Sequence, residues 1–378
     1  MQIGRIKMNK LWAMPILFAA SQATAGGWEA SKLDTSFMYQ EGGYAELSYG
    51  SVDYSNLKGN ALYTSSSFKD QKTAKNQTRI SGAFKMSYGN LDVGLSSFRS
   101  GTIQMQGGAG TYNGSDGGTV VPDADADLNT TSFVGKYNIS ENYGVIFAAN
   151  QNSLSKTRIT TILGDYDVKA KEVTGFTYGF SYSQPEIALR VELLYMPKSE
   201  LKASSNYTPN SIGTSYSLNS VSNFTTTLSR PETTTVNFQS GIAENTLLFG
   251  SVHKAAWKKA QIYANTNVAL SSVVSQFKDT TEMQIGLARK ISDSTALIAS
   301  YTSENGYGKT HTSTFTQSNG KQGISLAVRY NIDNLTITGG YTFINVGDVS
   351  IFNTSNALQA TYKNNEVSAL GLKLGVSF

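Results

Sequence analysis

LGLKLGVSF, residues 370–378, closes the chain, and its reading decides the fold. Leu370, Leu372, Leu374, Val376 and Phe378 alternate with Gly371, Lys373, Gly375 and Ser377. Successive side chains of an extended strand point to opposite faces, so one face here is wholly apolar and the other small or polar. A helix would scatter the same residues around its axis. The pattern recurs upstream. In 186–197, Ile187, Leu189, Val191, Leu193 and Tyr195 oppose Arg190 and Glu192, and in 171–184 Phe176, Tyr178, Phe180 and Tyr182 form an aromatic stripe.

The same alternation marks fourteen candidate strands: 42–52, 77–89, 91–99, 130–140, 142–153, 171–184, 186–197, 232–243, 246–257, 280–291, 294–304, 321–332, 335–347 and 365–378. Leu247 and Leu248 stand side by side, which leaves the register of 246–257 open. Tight connections at Gly89-Asn90, Glu141-Asn142, Gln184-Pro185-Glu186, Glu244-Asn245, Asp293-Ser294 and Asp333-Asn334 alternate with long polar ones at 53–76, 100–129, 154–170, 198–231, 258–279, 305–320 and 348–364. Only a closed barrel satisfies the backbone of strands bathed in lipid. The expected fold is therefore all-β: a transmembrane antiparallel β-barrel of fourteen strands over 44–378, with long extracellular loops and short periplasmic turns.

Composition excludes several classes. The 378 residues contain no Cys, two His, 39% hydrophobic and 15% charged side chains, with Gly 35, Tyr 21 and Phe 17. A disulfide scaffold, a thiolate metal site and a Cys nucleophile are ruled out. The hydrophobic content argues against disorder, and the net charge of +4 without any basic block argues against nucleic acid as a partner. Residues 1–25 carry Arg5, Lys7 and Lys10, then an apolar run from Leu11 to Ala20, then Ala23-Thr24-Ala25, which is the pattern of a secretory signal cleaved after Ala25. Its removal leaves 28 basic against 27 acidic residues, a mature charge of +1. Residues 26–43 are then a short N-terminal periplasmic or lumenal segment, and the chain is expected in the outer membrane of a Gram-negative bacterium.

Parity places Arg79, Lys85, Lys136, Arg190, Arg329 and Lys373 in the lumen against Asp92 and Glu192, a basic balance that favours a carboxylate ligand. The competing reading is that these cations pair with acids or water and keep the interior polar. Enzyme chemistry has little support. His253 and His311 are the only imidazoles, and neither has a Ser or Asp partner at a recognised spacing. Asp123, Asp125 and Asp127 alternate as calcium ligands do, but the Gly and distal Glu of a calcium loop are missing, so a solvated acidic loop is expected. No cofactor and no metal are expected.

EGGYAELSYGSVD (41–53), Arg230-Pro231-Glu232 with VNFQSGIAENTLLFGSVHKAAW (236–257), TEMQIGLARKISDSTALIASY (281–301), NLTITGGYTFINVGDVS (334–350) and GLKLGVSF (371–378) resemble the strands and turns of the outer-membrane long-chain fatty acid and aromatic hydrocarbon transporters. The resemblance is strongest from about residue 230 onward. It implies a monomeric, passive channel for long-chain fatty acids or similar hydrophobic small molecules, and a barrel handed to the assembly machinery by the strand ending in Phe378. It also implies a capture groove in two long loops, with Leu201, Tyr207, Ile212, Tyr216, Leu218 and Phe224 in one and Ile159 and Ile162 in the other. The alternative is that these side chains pack the loops on one another. A kinked third strand with a lateral window, near Ser96 to Gly110, is implied in the same way. One departure stands out: the Asn-Pro-Ala motif of the family's N-terminal hatch is missing, and residues 26–43 are expected to reach only the barrel mouth rather than form a full plug. The rival readings are a structural or adhesive barrel and a general diffusion porin.

Overall fold

The computed structural model describes residues 27–28, 31–56, 58–63, 66–106, 122–264, 275–306, 308, 310–311, 315, 318–352 and 358–378. The signal segment 1–25 and the Gly-rich stretch 107–118 lie outside them. Fourteen antiparallel strands form the wall: β1 Tyr44–Asp53, β2 Gln77–Tyr88, β3 Leu91–Gln106, β4 Asp123–Asn138, β5 Tyr143–Leu154, β6 Lys171–Gln184, β7 Leu189–Met196, β8 Thr233–Ala243, β9 Thr246–Ala255, β10 Thr280–Lys290, β11 Thr295–Glu304, β12 Lys321–Ile332, β13 Leu335–Val346 and β14 Asn365–Ser377. Each pairs with its neighbour, and β14 returns to β1 from Tyr44↔Ser377 to Asp53↔Ser368, closing the ring. Closure removes the edges that an open sheet would expose to lipid.

The alternation read from sequence is the inside–outside alternation of this wall. Leu370, Leu372 and Leu374 are exposed outward, as are Phe176, Tyr178 and Phe180, while Lys373 turns inward against Asp34 and Glu46. Outward aromatics stack across strands: Phe147 lies 5.7 Å from both Phe176 and Tyr178, and Tyr143 lies 5.2 Å from Tyr182. Among the described residues no helix is long and apolar enough to cross a membrane. Phe133 stands about midway up β4, 64% exposed on the lipid face. Phe133→Arg is expected to destabilise the folded barrel by about 2–4 kcal/mol, read as a lower denaturant midpoint in lipid vesicles.

Several boundaries differ from expectation. β3 runs on to Gln106 and β4 begins at Asp123, so Asp123, Asp125 and Asp127 sit on a strand and not in a loop. There Asp125 meets Lys75 at 3.4 Å and Asp127 meets Arg99 at 3.3 Å. β7 starts at Leu189 because Pro185–Ile187 form a single 3-10 turn, which Ala188 closes in the left-handed region at φ 50. In β9, Leu247 turns inward with Phe249, Ser251 and His253, which settles the open register. The long connections are largely hairpins of their own: Thr157–Thr161 with Gly164–Val168, and Ser199–Pro209 with Val221–Arg230. Both stand on the end of the barrel opposite the tight turns.

Candidate functional site

The lumen is crossed by the chain's own N-terminal segment. Trp28 lies at the long-loop end, and residues 31–43, the strap, descend to the start of β1 at the short-turn end. The expectation that this segment reaches only the mouth treated it as a folded plug. Extended chain covers about 3.3 Å per residue, so 28–43 can span roughly 50 Å, ample for a belt roughly 25 Å tall. Phe37 and Met38 are fully buried against Tyr44, Ala83, Val134, Ile146, Ala148 and Leu194. The inner face of β3 makes room for them at Gly94, where a Cβ would come within 2.6 Å of the Phe37 ring.

Polar strap atoms meet the lumenal charges one by one. Glu192 accepts hydrogen bonds from the Thr35 hydroxyl at 2.6 Å, the Tyr39 hydroxyl at 2.7 Å and the Asn237 amide at 2.8 Å. Lys32 reaches Glu282 at 3.4 Å, and Asp34 meets Lys373 at 3.4 Å. The Tyr39 ring is faced by the Arg190 guanidinium at 4.1 Å and by the Lys136 ammonium at 4.8 Å, distances at which cations are attracted to a ring. Lys85 donates to the Gln40 carbonyl.

Of the six basic residues assigned to the lumen by parity, Arg79, Lys85, Lys136 and Arg329 are buried, Arg190 faces the Tyr39 ring and Lys373 meets Asp34 and Glu46. The basic excess, however, is smaller than parity suggested: with Lys32 and Lys321 added, eight cations face six carboxylates. Glu46, Glu282 and Glu304 also point inward, and Asp34 is brought in by the strap. Three sat near strand ends, where alternation is hardest to phase, and the fourth sat in a segment not expected to penetrate. Asp92 bridges Lys85 and Lys136 at 3.1 and 3.5 Å, and Lys373 joins Glu46 at 3.0 Å. Arg79 donates to Gln77 at 2.9 Å, and Arg329 is buried in the wall opposite Thr338. Lys321 lies between Glu282 at 2.9 Å and Glu304 at 3.5 Å. Lys321→Met leaves two facing carboxylates, and a loss of about 3–5 kcal/mol in unfolding free energy is expected. Chemical denaturation in micelles checks this, with Lys321→Met/Glu304→Gln expected to recover part of the loss.

The wall itself is interrupted beside β3. β2 and β3 pair only from Gly82↔Ser97 to Tyr88↔Leu91. Above that level residues 77–81 of β2 stay paired to β1, and 98–106 of β3 stay paired to β4. The β3–β4 register shifts between Arg99 and Gly101, which makes Ser100 a bulge, and bulges bend and twist a strand. The exposed edge of β3 is met by other chain segments: Thr102 N–H donates to the Trp28 carbonyl and Gln106 N–H to the Thr73 carbonyl, both at 2.8 Å. The irregularity thus falls inside the range 96–110.

The long-loop end is capped by an apolar cluster. Trp28, Ile103, Met105, Leu128, Leu201, Leu228, Trp257 and Phe277 meet there, and Trp28 also donates from its indole N–H to the Ser229 carbonyl at 3.1 Å. Of the expected groove residues, Leu201 is buried in this cap at 0% exposure, with Ile159 half-buried against it. Tyr207 and Phe224 are buried in a second cluster that Tyr166 and Leu218 flank. Burial, with the neighbouring Tyr207, pushes the Tyr166 phenol up to about 12, so it stays neutral among these rings. Ile162 and Ile212 are half-buried, and Tyr216 is exposed. The expected groove therefore divides into packed side chains and a smaller accessible set. Sequence reading missed Trp28, Trp257, Ile103 and Met105. Two tryptophans, one in the N-terminal segment and one closing the 246–257 run, were the available signal.

At the short-turn end a vestibule of about 490 Å³ opens between Tyr39, Lys85, Asp92, Lys136, Asn138 and Arg190. A cavity of only about 30 Å³ lies higher, beside Phe98, Lys32 and His253. His253 pairs through Nδ1 with the Thr235 hydroxyl at 2.7 Å.

These features define a class: a transmembrane β-barrel whose lumen is filled by its own N-terminal segment and whose wall ladder is broken beside the third strand. The fold is that of the FadL-like outer-membrane transporters. A FadL homologue of Pseudomonas aeruginosa matches with a TM-score of 0.71 at 11% identity over 91% of this chain and 92% of that one. The toluene transporter TbuX of Ralstonia pickettii matches at 0.62 and 13% identity over 94% and 96%, and TodX, the toluene transporter of Pseudomonas putida, at 0.61 and 11% over 95% and 98%. No protein-family model matches the sequence, and a search of curated proteins finds no match. The likeness is one of fold.

Proposed function

We propose that this protein is a passive outer-membrane channel for long-chain fatty acids or similar hydrophobic small molecules, with its short turns in the periplasm and its long loops outside. One observation carries the reading. The apolar cap at the loop end adjoins the broken part of the wall, because Ile103 and Met105, on the β3 segment that pairs with β4 but not with β2, belong to the cap cluster. An apolar molecule entering through the loops meets apolar side chains up to the point where the wall is open. A polar solute meets a lumen occupied by the strap and its ion pairs, which disfavours the diffusion-porin reading.

In this reading Tyr216, Ile212 and Ile162 make the first contact, and Leu218, Phe224, Tyr207, Leu201 and Ile159 become a groove only when the hairpins part. Each methylene that leaves water contributes about 0.8 kcal/mol to capture. The likeness to the toluene transporters TbuX and TodX supports a hydrophobic cargo. The chain acts as a monomer, after loss of residues 1–25, and Phe378 ends the strand that the assembly machinery receives. Uptake of a labelled long-chain fatty acid, with toluene and a sugar in parallel, by cells lacking their own channel tests the reading. Saturable uptake of an apolar probe without sugar flux is expected, and sugar flux alone would move the protein to the porins.

A further inference from the structure

The barrel's outer rim is charged unevenly. The segments 154–172, 197–232 and 254–281 hold eleven Lys and Arg against six Asp and Glu, whereas residues 26 onward outside them hold seventeen against twenty-one. The described parts of these three segments stand above neighbouring strands, since β5 pairs with β6, β6 with β7, β7 with β8, β8 with β9 and β9 with β10. The excess positive charge of the mature chain is therefore gathered over one sector of the long-loop end.

The height of this sector matches a lipid headgroup layer. Lys254 is exposed on the lipid-facing side of β9, and the registers Lys254↔Thr234, Thr234↔Tyr195 and Tyr195↔Tyr178 put it in one row with two outward tyrosines. Tyrosines at such a row sit at the boundary between acyl chains and headgroups, and a lysine there extends its ammonium toward the polar side. Just above, the backbone N–H of Lys169 bonds the Ser204 carbonyl, which sets Lys169 and Lys171 beside Lys202 on the adjoining hairpin. Lys198 completes the group. Two carboxylates lie within it, Glu200, which meets both Lys198 and Lys202, and Glu172, which stands beside Lys171 and accepts from Gln151 and Ser153, so two charges of four are offset.

We infer that this sector binds the phosphate groups of a phosphorylated glycolipid in the leaflet that the long loops face. The inference rests on the proposed orientation of the barrel, loops outward. Lysines near a membrane surface each add a separate attraction to lipid phosphate, and several on a rigid rim act on one polyanionic headgroup. Such a lipid, held over β5 to β10, covers the sector of the wall next to the interrupted β3.

The test uses the full-length mature protein in micelles and two probes, diphosphorylated lipid A and its fully dephosphorylated form. Wild type is expected to prefer the phosphorylated probe. The quadruple variant K169Q/K171Q/K198Q/K202Q is expected to lose more than roughly tenfold in affinity for it and nothing for the other. K58Q/K363Q, which removes two lysines outside the sector, should bind as wild type does. Heat-shifted electrophoretic migration shows that each variant is folded. Equal binding of both probes by wild type, unchanged binding by the quadruple variant, or equal competition by inorganic phosphate would overturn the assignment. Fatty-acid uptake measured in the same variants separates the two readings: the patch can fail while uptake persists, and the channel fails only if wild type transports no apolar probe.

Discussion

Deleting Ser100 is expected to reduce apolar uptake to the background of cells lacking the protein while leaving a folded barrel. Ser100 is the extra residue of the β3–β4 ladder, with Arg99 facing Asn129 and Gly101 facing Leu128 on either side of it. Without it, residues 101–106 keep their partners in β4, and the straightened strand can offer its other edge to residues 77–81 of β2. The side-chain hydrogen bond between the Ser100 and Thr130 hydroxyls, at 2.5 Å, is lost, which costs about 1 kcal/mol and is offset by the new ladder. The folded yield should be unchanged and the wall continuous. Uptake of a labelled fatty acid and of toluene by whole cells reads the result, with heat-shifted migration as the folding control. Undiminished uptake would mean that the break in the wall is not on the route.

Removal of residues 27–41 is expected to turn a closed barrel into a polar pore. The strap satisfies Glu192 with two of its hydroxyls and occupies the space between Lys136, Arg190, Glu282 and Lys373. Once it is gone those groups must be met by water, since charge in a lumen is tolerated only when paired or hydrated. A hydrated lumen conducts. Steady ion conductance in planar bilayers, and entry of a small sugar into cells, should appear in the truncated protein and be missing from the whole one. Stability should fall as well, because Phe37 and Met38 each contribute about 1.5–3 kcal/mol through burial. A truncated barrel that neither conducts nor admits sugar would show that something other than the strap closes the lumen.

The wall was legible in the sequence because its physics is local. A bilayer on one side and water or polar groups on the other impose a period of two, and β6 and β12 run over 171–184 and 321–332 as the alternation predicts. Lumenal Lys85 and Arg329 followed from parity alone. What parity could not supply was anything decided by long-range packing. Lys32, Asp34, Thr35 and Tyr39 read as an ordinary short leader, and their partners Glu282, Lys373 and Glu192 lie more than 150 residues away. The outward acids Asp125 and Asp127 read as loop because this extension reverses the wall's pattern, with acids facing out and Ala124, Ala126 and Leu128 facing into the cap. The groove residues were identified as apolar loop positions, but sequence has no means of telling Leu201, buried in a cap, from Tyr216, open to solvent.

Cargo is expected to leave sideways through the gap between β2 and β3, and photo-crosslinking reads that exit. Cells expressing the protein are fed a long-chain fatty acid carrying a diazirine on its tail, irradiated during uptake, and the labelled peptides mapped by mass spectrometry. Labels on residues 77–81 and 98–106 are predicted. Labels confined to the vestibule around Lys85, Asn138 and Arg190 would show that cargo passes down the lumen and not through the wall.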